Sequence, residues 1–192
     1  MGSEIKGTEF TREDFQAFAE RLKTETELFK TWWKEGRLAD DPPHIGFELE
    51  AWLVDAAGRP LPRNAEVMAR ANEPLLTPEL AQYNLEFNGA PQRLAGRPFS
   101  ALSRELAGLW QRTQAAAAQE GGRLAMIGIL PTVREADLDL AHMSRLKRYQ
   151  ALNEQVLVLR NRRPLTLDIE GEEHLELRHA DVMLESAATS LQ

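Results

Sequence analysis

The stretch GFELEAWLVD, residues 46–55, constrains the fold more than any other part of the chain. Phe47, Leu49, Ala51 and Leu53 alternate with Glu48, Glu50, Trp52 and Val54. A period of two marks a strand with two unlike faces. One face is wholly apolar. The other opens with two glutamates and closes with a tryptophan and a valine, so it is not a simple solvated surface. Residues two apart point the same way, which puts Glu48 and Glu50 side by side, Cα atoms about 6.6 Å apart at roughly 3.3 Å per residue.

A second stretch repeats the design. In YNLEFN, Tyr83, Leu85 and Phe87 alternate with Asn84, Glu86 and Asn88, so a carboxylate is flanked by two amides. Further on, LTLDIEGEEHLELRH alternates on both sides of GEE, a hairpin signal. It adds Asp168 and Glu170 on one arm and Glu176 and Arg178 on the other, opposite the leucines at 165, 167, 175 and 177. These strands read as one sheet with a carboxylate-rich face.

Between the strands the spacing predicts helices. Residues 11–34 carry Phe15, Phe18, Leu22, Phe29 and Trp33 on one stripe, with Thr11 and Asp14 placed as a capping box and Gly36 as a stop. LADDPPH, 38–44, is a breaker. DAAGRP at 55–60 is a turn that a short return strand can follow, and 64–72 reads as a short helix. TPEL at 77–80 has the form of a helix start, Thr77 capping and Pro78 at the first position. Residues 99–120 form a long helix with Leu102, Leu106, Leu109 and Trp110 on one stripe, ended by Gly121 and Gly122. RLAMIGILP, 123–131, reads as a buried strand, 132–143 as loop and 144–160 as a third long helix. MLESAATSLQ opens either a strand or a helix. Helices and strands mix without regular βαβ alternation, which predicts an α+β fold on a largely antiparallel sheet. A length of 192 residues suits one domain, a helical lead-in over 1–43 and a sheet-and-helix core over 44–192.

Composition closes several functional classes. A net charge of −7 argues against nucleic-acid binding through bulk electrostatics, although Arg145, Lys147 and Arg148 cluster, as do Arg160, Arg162 and Arg163. With no cysteine, disulfides and thiolate chemistry are excluded. No apolar run reaches the length of a membrane span and MGSEIKGTEF has no signal-peptide core, so a cytoplasmic protein without membrane partners is expected.

If Glu48, Glu50 and Glu86 converge, their charges repel, and protonation, a basic neighbour or a divalent cation must relieve them. A hard cation such as Mg²⁺ or Mn²⁺ takes oxygen ligands and leaves positions for water and phosphates, so the spacing points to phosphoryl transfer on a sheet face. For a single Glu-x-Glu, solvated carboxylates are the simpler reading. Trp52 beside the first pair and the separate Asn-x-Glu-x-Asn strand weigh against it. Asn88 is placed to orient Glu86, although a solvated or turn-forming amide is the simpler expectation. Trp52 is expected in a core or at a rim. His44, His142, His174 and His179 lack metal spacing and read as structural.

GFELEAWLVD followed by ELAQYNLEFNGAP resembles the bacterial glutamate–cysteine ligase family. Its pattern opens with a G-x-E-x-E strand running into Val-Asp, with a glutamate strand of the L-E-F type some tens of residues on. RLKRYQALN, 145–153, is similar to the family's Arg-Tyr helix start, and MLESAATSLQ to the opening of its histidine strand. The resemblance covers about 44–192. It implies a curved antiparallel sheet of the glutamine synthetase catalytic type. It also implies ATP- and Mg²⁺-dependent phosphorylation of the glutamate γ-carboxylate. Attack by the cysteine amine then gives γ-glutamylcysteine, the first step of glutathione synthesis. On this resemblance Glu48, Glu50 and Glu86 are ligands of the metal and its nucleotide, and Arg148 contacts a phosphate or the substrate carboxylate. A ligase with another amine acceptor, or a non-catalytic metal- or partner-binding module, is the alternative. Family members are usually at least twice as long. The chain is therefore expected to be either a portion of a longer ligase or a truncated relative, poorly active alone and able to self-associate through surface that a C-terminal half would cover.

Overall fold

The computed structural model describes residues 4–38 and 42–192. Helix α1, Arg12–Lys34, starts as the sequence predicts. The Thr11 hydroxyl accepts from the Asp14 amide, and the Asp14 carboxylate accepts from the Thr11 amide at 2.7 Å. Phe10, just before the cap, meets Phe15 edge-on at 6.1 Å, which completes a hydrophobic staple. Gly36, at φ 64°, follows the last turn. No residue of α1 is buried. The breaker expected at 38–44 falls in part on 39–41, outside the described residues.

The expected strand over 44–54 is two strands. β1, His44–Ile45, pairs with β5, Gln92–Arg93. β2, Glu48–Val54, is the centre of the main sheet. The chain then turns on Asp55, whose carboxylate accepts from the amides of Ala57 and Arg59. The return strand reduces to a single bridge, Val54 to Pro60. α2, Asn64–Ala71, leads into β3, Leu76–Pro78, then β4, Asn84–Asn88. After β5 come α3, Pro98–Gln119, and β6, Arg123–Ala125. α4, Lys147–Leu159, precedes a hairpin of β7, Leu165–Glu170, and β8, His174–His179.

The main sheet is antiparallel in the order β3-β4-β2-β6. The molecule is α+β, as expected. Leu49, Ala51 and Leu53 of β2, with Leu85 and Phe87 of β4, form one face and bury against Val67 of α2 and Leu109, Ala116 and Ala117 of α3. The opposite face of β2 is split along its length. Trp52 and Val54 lie in a second core with Tyr83, Leu130, Met143, Tyr149 and Met183. Glu48 and Glu50 lie beyond the edge of that core. This resolves the mixed face of β2: one end roofs a core and the other end faces a cavity.

Several expectations are corrected. TPEL is not a helix start but the edge strand β3 and its exit. Thr77 pairs with Glu86, and Pro78 sits on an edge where no ladder N–H is required. Tyr83 leaves the alternation of Leu85 and Phe87 and stacks on Trp52 on the other side of the sheet, 5.4 Å between centroids. RLAMIGILP is a strand for three residues only, and Met126, Ile127 and Ile129 are exposed. The cause is competition for the edge of β2. β6 pairs with Trp52 to Val54, while Ser190 to Gln192 pair with Glu48 and Glu50. The β7–β8 hairpin is a separate two-stranded sheet. Asp168, Glu170 and Glu176 therefore do not join the glutamates of β2 and β4. The loop over 132–143 contains two 3₁₀ turns, Glu135–Asp137 and Leu140–His142, and a third, Met183–Ala187, precedes the final extended residues.

Among the described residues, no helix is long and apolar enough to cross a membrane. Phe87 is fully buried and stacks on Trp110 at 5.3 Å. Phe87→Ala should cost about 3–5 kcal/mol in a urea titration, whereas Leu175→Ala, on the half-exposed hairpin, should cost under about 1 kcal/mol.

Candidate functional site

The register of the sheet builds the site. Glu50 on β2 faces Glu86 on β4, and Thr77 on β3 faces Glu86 from the other side. Three adjacent strands thus present Thr77, Glu86 and Glu50 in one row, with directly opposed Cβ atoms about 5 Å apart. Glu48 pairs with Asn88 one step along the same face.

Each carboxylate in the row is held. Glu86 Oε1 accepts from Thr77 Oγ1 at 2.7 Å and from Asn88 Nδ2 at 2.8 Å. Asn88 is buried, and orients Glu86 rather than forming a turn. Glu50 accepts from the Ser190 amide at 2.9 Å and from its hydroxyl at 3.0 Å, so both Glu50 oxygens are aimed by the final residues of the chain.

A fourth carboxylate, absent from the sequence-derived set, completes the group. Glu79 follows β3 and lines two adjoining cavities. One, of about 320 Å³, is bordered by Glu50, Asn84, Tyr149, Ser190 and Gln192. The other, of about 600 Å³, is bordered by Thr77, Glu86 and Arg148. Burial pushes the Glu79 carboxyl up to about 7, against the pull of the Leu80 amide, and the charges of Glu50 and Glu86 push the same way. Thr-Pro-Glu-Leu hid this residue, because the motif satisfies a helix start and an edge-strand exit equally well.

Arg148, at the start of α4, walls the second cavity. Its guanidinium lies over the Tyr149 ring at 4.7 Å and donates to the Tyr149 hydroxyl at 2.9 Å. That hydroxyl donates in turn to the Pro78 carbonyl at 3.0 Å, which ties α4 to the end of β3. Burial, and then the charge of Glu79, raise the Tyr149 phenol to about 12, so it remains a donor at neutral pH.

The structure therefore brings Glu50, Glu86 and Arg148 around one pair of cavities and adds Glu79. Glu48 shares their face but borders neither cavity. Trp52 is a core residue, fully buried, its indole N–H donating to the Ile127 carbonyl at 3.1 Å. The histidines stand elsewhere, His142 beside Asp139, His174 beside Asp168 and buried His179 near Asp181. Among the described residues, no three His, Asp or Glu side chains are closed around a point that could hold a metal ion as they stand. The donors nonetheless suit a hard cation: all are oxygens, and three carboxylates share the two adjoining cavities.

That proton makes stability pH-dependent. The folded-state pKa of Glu79 lies above its unfolded value, so folding takes up a proton between about pH 4.5 and about 7. The associated stability is complete below pH 4.5 and is lost as pH rises through 7. The melting temperature of Glu79→Gln should exceed that of the native sequence at pH 7.5, and the gap should close by pH 5. A gap independent of pH would contradict this linkage.

No curated protein and no solved structure matches the chain. A family model does, over residues 44–168, a span that includes β2, β3, β4, the Glu79 exit and the Arg148 helix start. With more than half of its length under that match, the chain belongs to glutamate-cysteine ligase family 2.

Proposed function

We propose that this chain carries the phosphoryl-transfer site of an ATP-dependent ligase that joins the γ-carboxylate of glutamate to the amine of cysteine. The observation that carries the reading is the carboxylate group itself. Glu50, Glu79 and Glu86 come from three adjacent segments onto one face, with a guanidinium at the cavity wall, in a family of glutamate–cysteine ligases.

In this reading the glutamate γ-carboxylate takes the γ-phosphoryl group of ATP and ADP departs. The cysteine nitrogen then attacks the acyl carbon, phosphate leaves, and the amine loses a proton. The product, γ-glutamylcysteine, places the reaction at the start of glutathione synthesis. Glu50, Glu79 and Glu86 would hold a divalent cation such as Mg²⁺ or Mn²⁺, which supplies neutralisation of the phosphate charge. To reach it, Glu50 has to turn from Ser190, and Glu79 has to give up its proton. Glu48, further along the same face, is placed to support a second position. The Arg148 fork suits a phosphate or the α-carboxylate of glutamate, and its stacking on Tyr149 holds the guanidinium plane.

Calorimetric titration of Mn²⁺, with and without ATP, tests the site. ATP should tighten binding, and Glu50→Gln or Glu86→Gln should weaken it on the order of 10- to 100-fold. Binding indifferent to ATP and to both substitutions would overturn the assignment. Product analysis with cysteine and a panel of other amines then reads the acceptor.

A further inference from the structure

Among the described residues, the apolar stripe of α1 joins neither hydrophobic core. Phe15, Phe18, Leu22, Phe29, Trp32 and Trp33 are between 38% and 69% exposed. All fall within about 100° of the helix surface at 100° per residue. A 23-residue helix with so large an apolar face and no buried residue is a surface that needs a partner.

The residues identify one. Phe15, Phe18, Leu22, Glu25, Phe29 and Trp32 are spaced three and four apart, as the a and d positions of three successive heptads. Reversed against itself, this series is self-complementary in a single register. Phe15 meets Trp32 of the second copy, Phe18 meets Phe29, and Leu22 meets Glu25. Glu25 is the one charged seam position, and Arg21 of the same helix already pairs with it at 2.8 Å.

Charge points to the same orientation. From Arg12 to Glu20 the helix has one arginine against three acids, and from Arg21 to Lys34 it has four bases against two acids. Antiparallel pairing sets the acidic half of each copy against the basic half of the other and opposes the helix dipoles. Parallel pairing sets like against like. The helix as a whole is neutral in a chain of net charge −7, so the general repulsion between copies is absent at this surface. The seam residues of two copies would remove about 1,000 Å² of apolar surface from water, and flanking Leu28 and Trp33 bring the total towards that of a specific dimer.

We propose that α1 pairs antiparallel with α1 of a second copy and makes the protein a homodimer. None of the seam residues borders either carboxylate cavity, so this inference does not depend on the ligase reading.

Sedimentation velocity of the chain tests it. A dimer is expected at micromolar concentration. Phe18→Glu should weaken it on the order of 100-fold or more by burying an unpaired charge at the seam, while Ile129→Ser, at an exposed apolar position outside α1, should leave it unchanged. A monomer, or a dimer lost on Ile129→Ser and kept on Phe18→Glu, would overturn the proposal. Orientation is read by cross-linking, since the described residues contain no native cysteine to compete. Oxidising a mixture of Phe18→Cys and Phe29→Cys proteins should yield the mixed disulfide dimer and little of either homodimer. Homodimeric cross-links alone would exclude the antiparallel register.

Discussion

The pairing of β2 with β4 is the constraint on which the rest of the structure depends. Its register places Leu49 with Phe87 and Ala51 with Leu85 on the helix-covered side, and Glu50 with Glu86 on the other. A slip of β2 by one residue would turn Leu49, Ala51 and Leu53 towards the cavity and bury Glu48 and Glu50 beneath α3. Hydrophobic burial on one face therefore holds two like charges together on the other. The local fit at the end of the pair is equally tight. The Phe47 ring lies where a Cβ on Gly89 would stand, 2.5 Å away, so only glycine admits the ring beside Glu48 and Asn88.

What the sheet imposes, the surroundings modulate. Glu86 is held by Thr77 and Asn88, and Glu50 by Ser190, neutral donors that direct the oxygens without removing their charge. Glu79 is the adjustable member. Its proton is retained by burial and by its two charged neighbours, and anything that brings positive charge to the face competes with it. Tyr149 and Arg148 border that face from α4, and their bonds to Pro78 tie the residue before Glu79 to the cavity wall.

The core and α1 deploy the same residue types differently. In the core, aromatic rings meet each other: Trp52 with Tyr83, Phe87 with Trp110. On α1 they are exposed on the single chain. The difference lies in packing, since β2 and β4 are clamped between two cores while no residue of α1 is buried.

Much of this was legible in the chain itself. The alternation in GFELEAWLVD and YNLEFN determined both strands, the faces of Glu48, Glu50 and Glu86, and the α+β class. The Thr11–Asp14 pair determined the start of α1, and the GEE turn the hairpin, because these signals are local and have one solution. Tertiary structure decided the rest. Whether Thr-Pro-Glu-Leu begins a helix or leaves an edge strand depends on β4 offering Glu86 to Thr77, a choice made across the sheet. RLAMIGILP stops being a strand because residues distant in sequence take the remaining edge of β2. Asp168, Glu170 and Glu176 have the same alternation as the site glutamates and are excluded only because β7 and β8 pair with each other. Periodicity records which way a side chain faces. Which faces meet depends on long-range pairing, and that is settled by burial summed over the whole molecule.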